Sequence, residues 1–344
     1  MPSIDVFKGD GFSMTELTAS INRAPYQPGR LGAMGLFESD GIRTTTFQLE
    51  RKGRMISLLP SKPRGAAGTQ KEKSKRKLRT FNVPHIPYDG EILADDIQDI
   101  RSFPTPDGGG ESELEAASDI LNDQLDEMRQ DHEVTHEFLR IGAIKGSVID
   151  GDGTTVLIDL FSEFGISQTA VDFVLGTGTT DIKGKAESVR RAIEDALGAF
   201  TYTGIHAFCG NSFWDKLVAH AKVEAAYDRW QDGAFLRTTQ RDIPGQQGGF
   251  EFGGIIWENY RGKIGDVPFI PDADCRFVPM GVRGLLLERY APADIMDAVN
   301  TKGLPVYALQ EPKRFGKGID IHTQSNPLMI CSIPEVLVRG HTSN

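Results

Sequence analysis

Residues 111–141 read ESELEAASDILNDQLDEMRQDHEVTHEFLRI. Positions 114, 118, 121, 125, 128, 132, 135 and 139 are separated by alternating steps of four and three, and they hold Leu, Ser, Leu, Leu, Met, His, Thr and Leu. This spacing predicts one amphipathic helix over 111–141, of about nine turns and long by globular standards. From Glu111 to Glu137 there are ten acids and one base, net −9. Such a helix repels itself along its outer face and is stabilised by a basic partner.

The complementary charge lies upstream. Lys71-Glu-Lys-Ser-Lys-Arg-Lys-Leu-Arg79 carries six basic groups and one acid, net +5. It ends a two-stranded excursion over 42–83. In that excursion 44–49 and 55–59 are short β-type runs joined by the turn signal Arg51-Lys-Gly-Arg54, and the Pro60–Gly68 stretch breaks again. A hairpin this polar has little apolar surface to fold against itself, and isolated hairpins are marginal in water. It is expected to dock on a partner. The candidate inter-subunit residues are Lys71, Lys73, Lys75, Arg76, Lys77 and Arg79 on one side and Glu115, Asp119, Asp123, Asp126 and Glu127 on the other. Within one molecule the two blocks pair once. Among identical molecules every +5 meets a neighbour's −9, the repeating heterologous contact that closes rings and shells. A solvated face is one alternative. Nucleic-acid binding is another, but aromatic interleaving is lacking, with only Phe81 nearby.

Around these blocks the chain reads as α+β. Residues 1–35 are an arm: a capping box at Ser13–Glu16 precedes Leu17 and Ile21, then Pro25, Pro28, Gly29, Gly32 and Gly35 stop regular structure. The arm has too few apolar residues for its own core and must lie on something else. Helical spacing of Ile92, Leu93, Ile97 and Ile100 predicts a helix within 85–103. A hairpin is expected from 143–149 and 154–160, a helix over 183–198 ended by Gly198, and a helix over 213–221 capped by Ser212. Strands are expected at 204–209, 250–260, 275–278, 319–323 and 336–339, with a short helix at 293–300.

Composition narrows the function. The 344 residues suggest about two domains. A net charge of −10 disfavours general nucleic-acid binding. Cys209, Cys275 and Cys331 are odd in number and far apart, which speaks against a disulfide scaffold or thiolate zinc site and suits small buried hydrophobes in a reducing compartment. No apolar run approaches the roughly 18 residues of a membrane helix. Asp5, Lys8 and Asp10 at the N-terminus, without an apolar stretch, predict no signal peptide and a cytoplasmic origin.

One catalytic motif stands out. His132-Glu-Val-Thr-His136 is a literal HExxH, which on a helix sets two imidazoles one turn apart to grip zinc with Glu133 as base. The context opposes it. Leu139 and Gly142 stand where an extended motif has Gly and His, Asp131 and Glu137 crowd the site with charge, and His132 falls on the core-facing seam. His132, Glu133 and His136 are therefore expected to be a chance match, with a zinc hydrolase as the alternative function and no metal, cofactor or catalytic residue expected. Asp150-Gly-Asp-Gly-Thr154 opens like a calcium loop, but Phe161 occupies the position that needs Glu. The glycine-rich stretches at 176–180 and 316–318 lack phosphate-loop spacing.

Ten segments together resemble a known family: 12–22, 25–32, 41–46, 64–69, 155–165 (TVLIDLFSEFG), 250–254, 290–294, 303–308, 322–327 (HTQSNP) and 336–340. In number and order they are similar to the lambda-type major capsid protein E family of tailed phages. The resemblance implies a Hong Kong 97-type capsid fold. Its implied parts are an N-terminal arm (1–35), an extended loop (36–83), a peripheral domain with a spine helix (84–160), an axial domain (161–320) and a C-terminal return to the peripheral domain (321–344). It implies a non-enzymatic subunit that self-assembles through pentamers and hexamers into an icosahedral head. That head would form in the host cytoplasm with scaffold, portal and decoration proteins. It would enclose double-stranded DNA without reading its sequence, and without a membrane.

Overall fold

The computed structural model describes residues 17–18, 29–52, 76–95, 113–224, 226, 249–264 and 267–344, the side chains of 50–52, 76–77, 113–119 and 264 excepted. A short helix α1 (Arg30–Ala33) and strand β1 (Glu38–Gly41) lead into β2 (Thr46–Lys52), β3 (Arg76–Asn82) and β4 (Ile86–Leu93). The long helix α2 (Glu113–Lys145) follows, then β5 (Ser147–Ile149), β6 (Val156–Asp159) and α3 (Leu160–Phe164). Next come β7 (Ala170–Asp172), α4 (Ile182–Leu197), β8 (Gly204–Cys209) and α5 (Asn211–Val218). Then come β9 (Phe250–Phe252), β10 (Ile255–Asn259), β11 (Lys263–Ile264), β12 (Val267–Pro268), β13 (Asp274–Met280) and β14 (Leu286–Tyr290). The chain closes with β15 (Tyr307–Pro312), β16 (Gly318–Ser325), β17 (Pro327–Cys331) and β18 (Val338–His341).

Among the described residues two main apolar cores divide the work, beside a small cluster of Ala293, Ala298 and Tyr307. The larger surrounds the six-stranded sheet β7-β18-β13-β8-β10-β9. Amphipathic α4 supplies Ile182, Ala186, Val189, Ile193 and Leu197 to it, a complete buried stripe at helical spacing. Phe173, Phe213, Trp257 and Phe277 pack edge-to-face and stacked at its centre, with centroids 5.3–6.3 Å apart. The smaller core joins Leu121, Leu125 and Met128 of α2 to Ile92, Ala308, Ile319 and Ile321 of the three-stranded sheet β15-β16-β4. Thus α2 runs from one core into the other. A second three-stranded sheet, β1-β14-β17, lies in the larger core, and β17 packs on α2.

The expected spine helix is present, extended to Lys145. It therefore absorbs 143–145, which the sequence assigned to a hairpin, and β5 begins only at Ser147. The reversal is tight: a Cβ on Gly142 would lie 2.9 Å from the Val148 Cα, and Gly146 turns the chain with φ +83°. The Gly198 end of α4 is as expected. Other assignments change: the expected helix at 293–300 is one 3-10 turn at Met296–Ala298, and the closing strand runs Val338–His341 after a 3-10 turn at Pro334–Val336. Strand β2 runs through the expected turn at 51–52 and pairs with 76–82, while 55–59 lies outside the described residues. Ile92 and Leu93, expected in a helix, belong to a strand, with Ile92 facing the smaller core, while Ile97 and Ile100 lie outside the described residues. Gly253 and Gly254, both at positive φ, split 250–260 into two antiparallel strands. Helix α5 begins at Asn211 after Gly210, so Ser212 is inside it rather than capping it. The expected boundary at 320 falls within β16, which pairs with both β15 and β4.

Cys209 and Cys275 are opposed residues of β8 and β13 with Sγ atoms 3.3 Å apart, and all three cysteines are buried and free. They pack as small hydrophobes, and burial raises the thiol pKa of Cys275 and, to about 12, of Cys331.

Alanine is normally the better helix former by about 1 kcal/mol, but at Gly142 the contact with the Val148 backbone outweighs this. Gly142→Ala is expected to destabilise the subunit by about 1–3 kcal/mol in urea unfolding. An unchanged or raised midpoint would show that the helix–hairpin contact is looser than described.

Candidate functional site

The HExxH residues lie where α2 crosses β16. His132 Nε2 is 3.0 Å from Thr323 Oγ1, and His136 Nε2 is 2.8 Å from Ser325 Oγ. Four residues of helix rise about 6 Å and two of strand about 6.6 Å, so the two repeats stay in step. The Thr323 hydroxyl donates to the Tyr88 carbonyl at 3.1 Å and the Ser325 hydroxyl to the Pro305 carbonyl at 2.6 Å. Each hydroxyl has one hydrogen, so it accepts from the imidazole, and both histidines carry their proton on Nε2. Burial holds both neutral: it pushes His132 down to about 4 and His136 well below its ordinary value, where the Arg140 charge adds to the effect. Glu133 belongs to a different surface. It lines a cleft of about 650 Å³ with Arg30, Arg129, Val134 and Tyr260, and neither histidine lines that cleft. The motif is thus divided between two faces of the helix, with its Nε2 atoms engaged by hydroxyls. Nothing in this arrangement supports the hydrolase alternative.

One turn on, α2 carries the groups that bind the N-terminal segment. The buried Glu137 carboxylate accepts from the Leu31 and Gly32 amides at 2.8 and 3.3 Å and from the Tyr260 hydroxyl at 2.9 Å. These amides open α1, where backbone donors lack helical partners. Arg140 donates to Glu288 of β14 at 2.7 Å, and the Tyr290 hydroxyl also donates to Glu288, at 2.7 Å. Arg30 reaches Glu258 of β10 through two hydrogen bonds at 2.5 and 2.7 Å, and His206 of β8 meets the same carboxylate at 2.8 Å. Leu31 is fully buried, and β1 runs parallel to β14. Residues 29–41, at the boundary of the expected arm and loop, therefore lie on their own chain. The sequence reading missed this network. A signal was present: Glu137 and Arg140 stand among Phe138, Leu139 and Ile141, two charges inside an apolar run.

The expected docking residues separate into three groups. Lys71, Lys73 and Lys75 lie outside the described residues, as do the side chains of Arg76, Lys77, Glu115 and Asp119. Strand register sets Arg51 opposite Lys77 and Lys52 opposite Arg76, so cations oppose cations at the far end of the described hairpin. Arg79 stays home: its Nε donates to the Glu163 carbonyl at 3.0 Å and its guanidinium lies 4.1 Å from the Phe164 ring centroid. On α2, Asp123 and Glu127 are exposed and Asp126 is half-buried at the cleft. Among the described residues the hairpin is held near its base by Arg79 and by buried Phe81 with Phe47 and Leu49 against the larger core, while Leu78 further out is exposed. Among the described residues no helix is long and apolar enough to cross a membrane.

Comparison with known proteins agrees with this architecture. The family described as phage major capsid protein E matches residues 13–342. The major capsid protein of Pseudomonas phage KPP10 is 28% identical over 350 residues, covering 96% of this chain and 97% of its own. That of Salmonella phage Felix O1 is 27% identical over 357 residues, with 95% of each chain covered. A crystal structure of an E. coli CFT073 prophage protein, assigned as a capsid protein, superposes with a TM-score of 0.60. It does so at 14% identity, over 96% of this chain and 99% of that one, a likeness of fold.

The neutral histidines give a pH dependence. With His132 at about 4 in the folded chain and 6.5 as its ordinary value, the unfolded chain binds more protons between those limits. Stability contributed by this group is therefore full above pH 6.5 and falls as pH drops toward 4. His132→Gln keeps a donor for Thr323 and is expected to remove about 2–3 kcal/mol of the stability loss between pH 7 and pH 4.5. Urea unfolding at both pH values checks it, and parallel pH slopes for parent and variant would refute the buried neutral imidazole.

Proposed function

The chain belongs to the phage major capsid protein E family and is the major capsid protein of a phage, and from that premise we propose that it self-assembles into the icosahedral head by docking its extended hairpin on the long helix of a neighbouring subunit. The opposed cations of the β2–β3 pair carry this reading. Like charges opposed across strands destabilise a hairpin, and among the described residues this two-stranded sheet meets the core near its base. The complement is the acidic outer half of α2, where Asp123 and Glu127 are exposed. Glu115, Asp119 and Asp126 extend that acidic run, and Lys71, Lys73, Lys75, Arg76 and Lys77 extend the basic one. Arg79 serves as the hinge that fixes the hairpin's root on Phe164.

The five-part division into arm, extended loop, peripheral domain, axial domain and C-terminal return belongs to the same proposal, with the return starting at Tyr307. Many contacts, each weak alone, sum by multivalency over a shell. The proposed role needs no metal or catalytic residue, and His132 and His136 act as a structural seam. Net charge −10 suits a container that encloses double-stranded DNA without adhering to it. Scaffold, portal and decoration proteins are the other proposed partners, with assembly in the host cytoplasm and the finished protein in the virion.

Reversal of Lys73, Lys75, Arg76 and Lys77 to Glu is expected to abolish particles in negative-stain micrographs, with subunit circular dichroism unchanged. Asp123→Lys with Glu127→Lys in the reversed chain is expected to restore them in part. Normal shells from the reversed chain would refute the docking strip.

A further inference from the structure

The turn joining β15 to β16 presents a bulky aromatic to solvent. Phe315 is 94% exposed, and its backbone is left-handed at φ 66°, ψ 17°. Side chains seldom adopt that conformation, and a residue held there invites a functional explanation. Exposed Arg314 and Lys317 flank the ring. Lys313 is already paired with Asp320 and Glu91, exposed Glu311 precedes the turn, and exposed Asp95 follows Ala94, whose amide donates to the Lys317 carbonyl at 3.0 Å.

At the other end of β15 is a patch of opposite character. Met296 is 88% exposed, Val299 56% and Leu304 43%, and exposed Asp294 and Asp297 border them. Lys302 beside them is neutralised by Asp40 at 2.6 Å. The patch rests on packed groups: buried Ala298, Ala293 and Tyr307 form a cluster with it, and the Tyr307 hydroxyl accepts from the Leu304 amide at 3.1 Å. Tip and patch cannot meet within one molecule. Tyr307 begins β15 under the patch and Pro312 ends it at the tip, and this paired strand spans about 17 Å.

We infer that Phe315, flanked by Arg314 and Lys317, inserts against Met296, Val299 and Leu304, bordered by Asp294 and Asp297, of a second copy of this chain. The thioether and aromatic ring are suited to each other, and two cations meet two acids. The two halves of the contact are different surfaces at opposite ends of one strand, so each copy both gives and receives. That heterologous contact closes into rings or continues through a shell. It rests on the assembly reading above but uses none of the hairpin or α2 residues invoked there.

Disulfide capture tests it in assembled particles. The native cysteines are all buried, so engineered thiols report alone. Phe315→Cys and Met296→Cys chains, mixed, co-assembled and mildly oxidised, are expected to give a covalent dimer on a non-reducing gel. The doubly substituted chain is expected to give a ladder, and each single variant neither. Particles without links from the mixture would overturn the inference, as would a Phe315→Cys homodimer, which sets tip against tip. If the cysteine chains form no particles, charge exchange decides. Arg314→Glu with Lys317→Glu should lower particle yield at least tenfold, and adding Asp294→Lys with Asp297→Lys should restore it; no restoration overturns the contact. Failure of the unsubstituted chain to form particles overturns the assembly reading itself.

Discussion

A carboxylate buried in the last third of a 33-residue helix sets where much of the chain must go. An ion removed from water must be paired and hydrogen-bonded. Glu137 meets that demand with donors from residues 31, 32 and 260, and Arg140 meets it at Glu288. The partners come from the N-terminal segment, the strand end after β10, and β14. Pairing the charges of α2 therefore gathers three remote pieces of sequence around it. The neighbouring histidines do the same with neutral groups, locking helix to strand through Thr323 and Ser325.

The other half of α2 has a different balance. Leu121, Leu125 and Met128 bury an apolar stripe against the smaller core, while Asp123 and Glu127 remain in water. The chain solves its electrostatics internally at one end of the helix and leaves them open at the other. The β2–β3 hairpin leaves the reverse problem, cations opposed across a two-stranded sheet. Exposed charges and exposed Phe315 and Met296 are costly or neutral features in a monomer. They become intelligible in a protein whose family builds shells, where each copy completes its neighbours.

Much of this was legible in the sequence. The four-and-three spacing of Leu121, Leu125, Met128 and His132 is local, so the long helix and its seam could be read directly, as could the stripe and glycine stop of α4. The charge blocks and the ordered resemblance pointed to a shell subunit. What escaped depended on distance. Ile92 and Leu93 fit a helical spacing as well as a strand, and only pairing with β16 decides between them. The partner of β2 lies beyond a long excursion, so the nearer run at 55–59 was the natural choice. Strands as short as β1 and β7 carry too little pattern to be seen without their neighbours. Arg79 reads as one more base in a run of bases, yet the ring beneath it belongs to Phe164, 85 positions away. The HExxH shows the opposite hazard, a short pattern that is complete in sequence and split between two faces in space.

In the proposed shell the hairpin of one subunit lies on the acidic half of another subunit's long helix. A cryo-electron microscopy map of assembled particles, at side-chain resolution, tests it most directly. The expected density places Arg76 and Lys77 within ion-pair reach of Asp123 or Glu127 of the partner subunit. A shell in which that helix face meets only solvent, with the hairpin folded back on its own subunit, would contradict it.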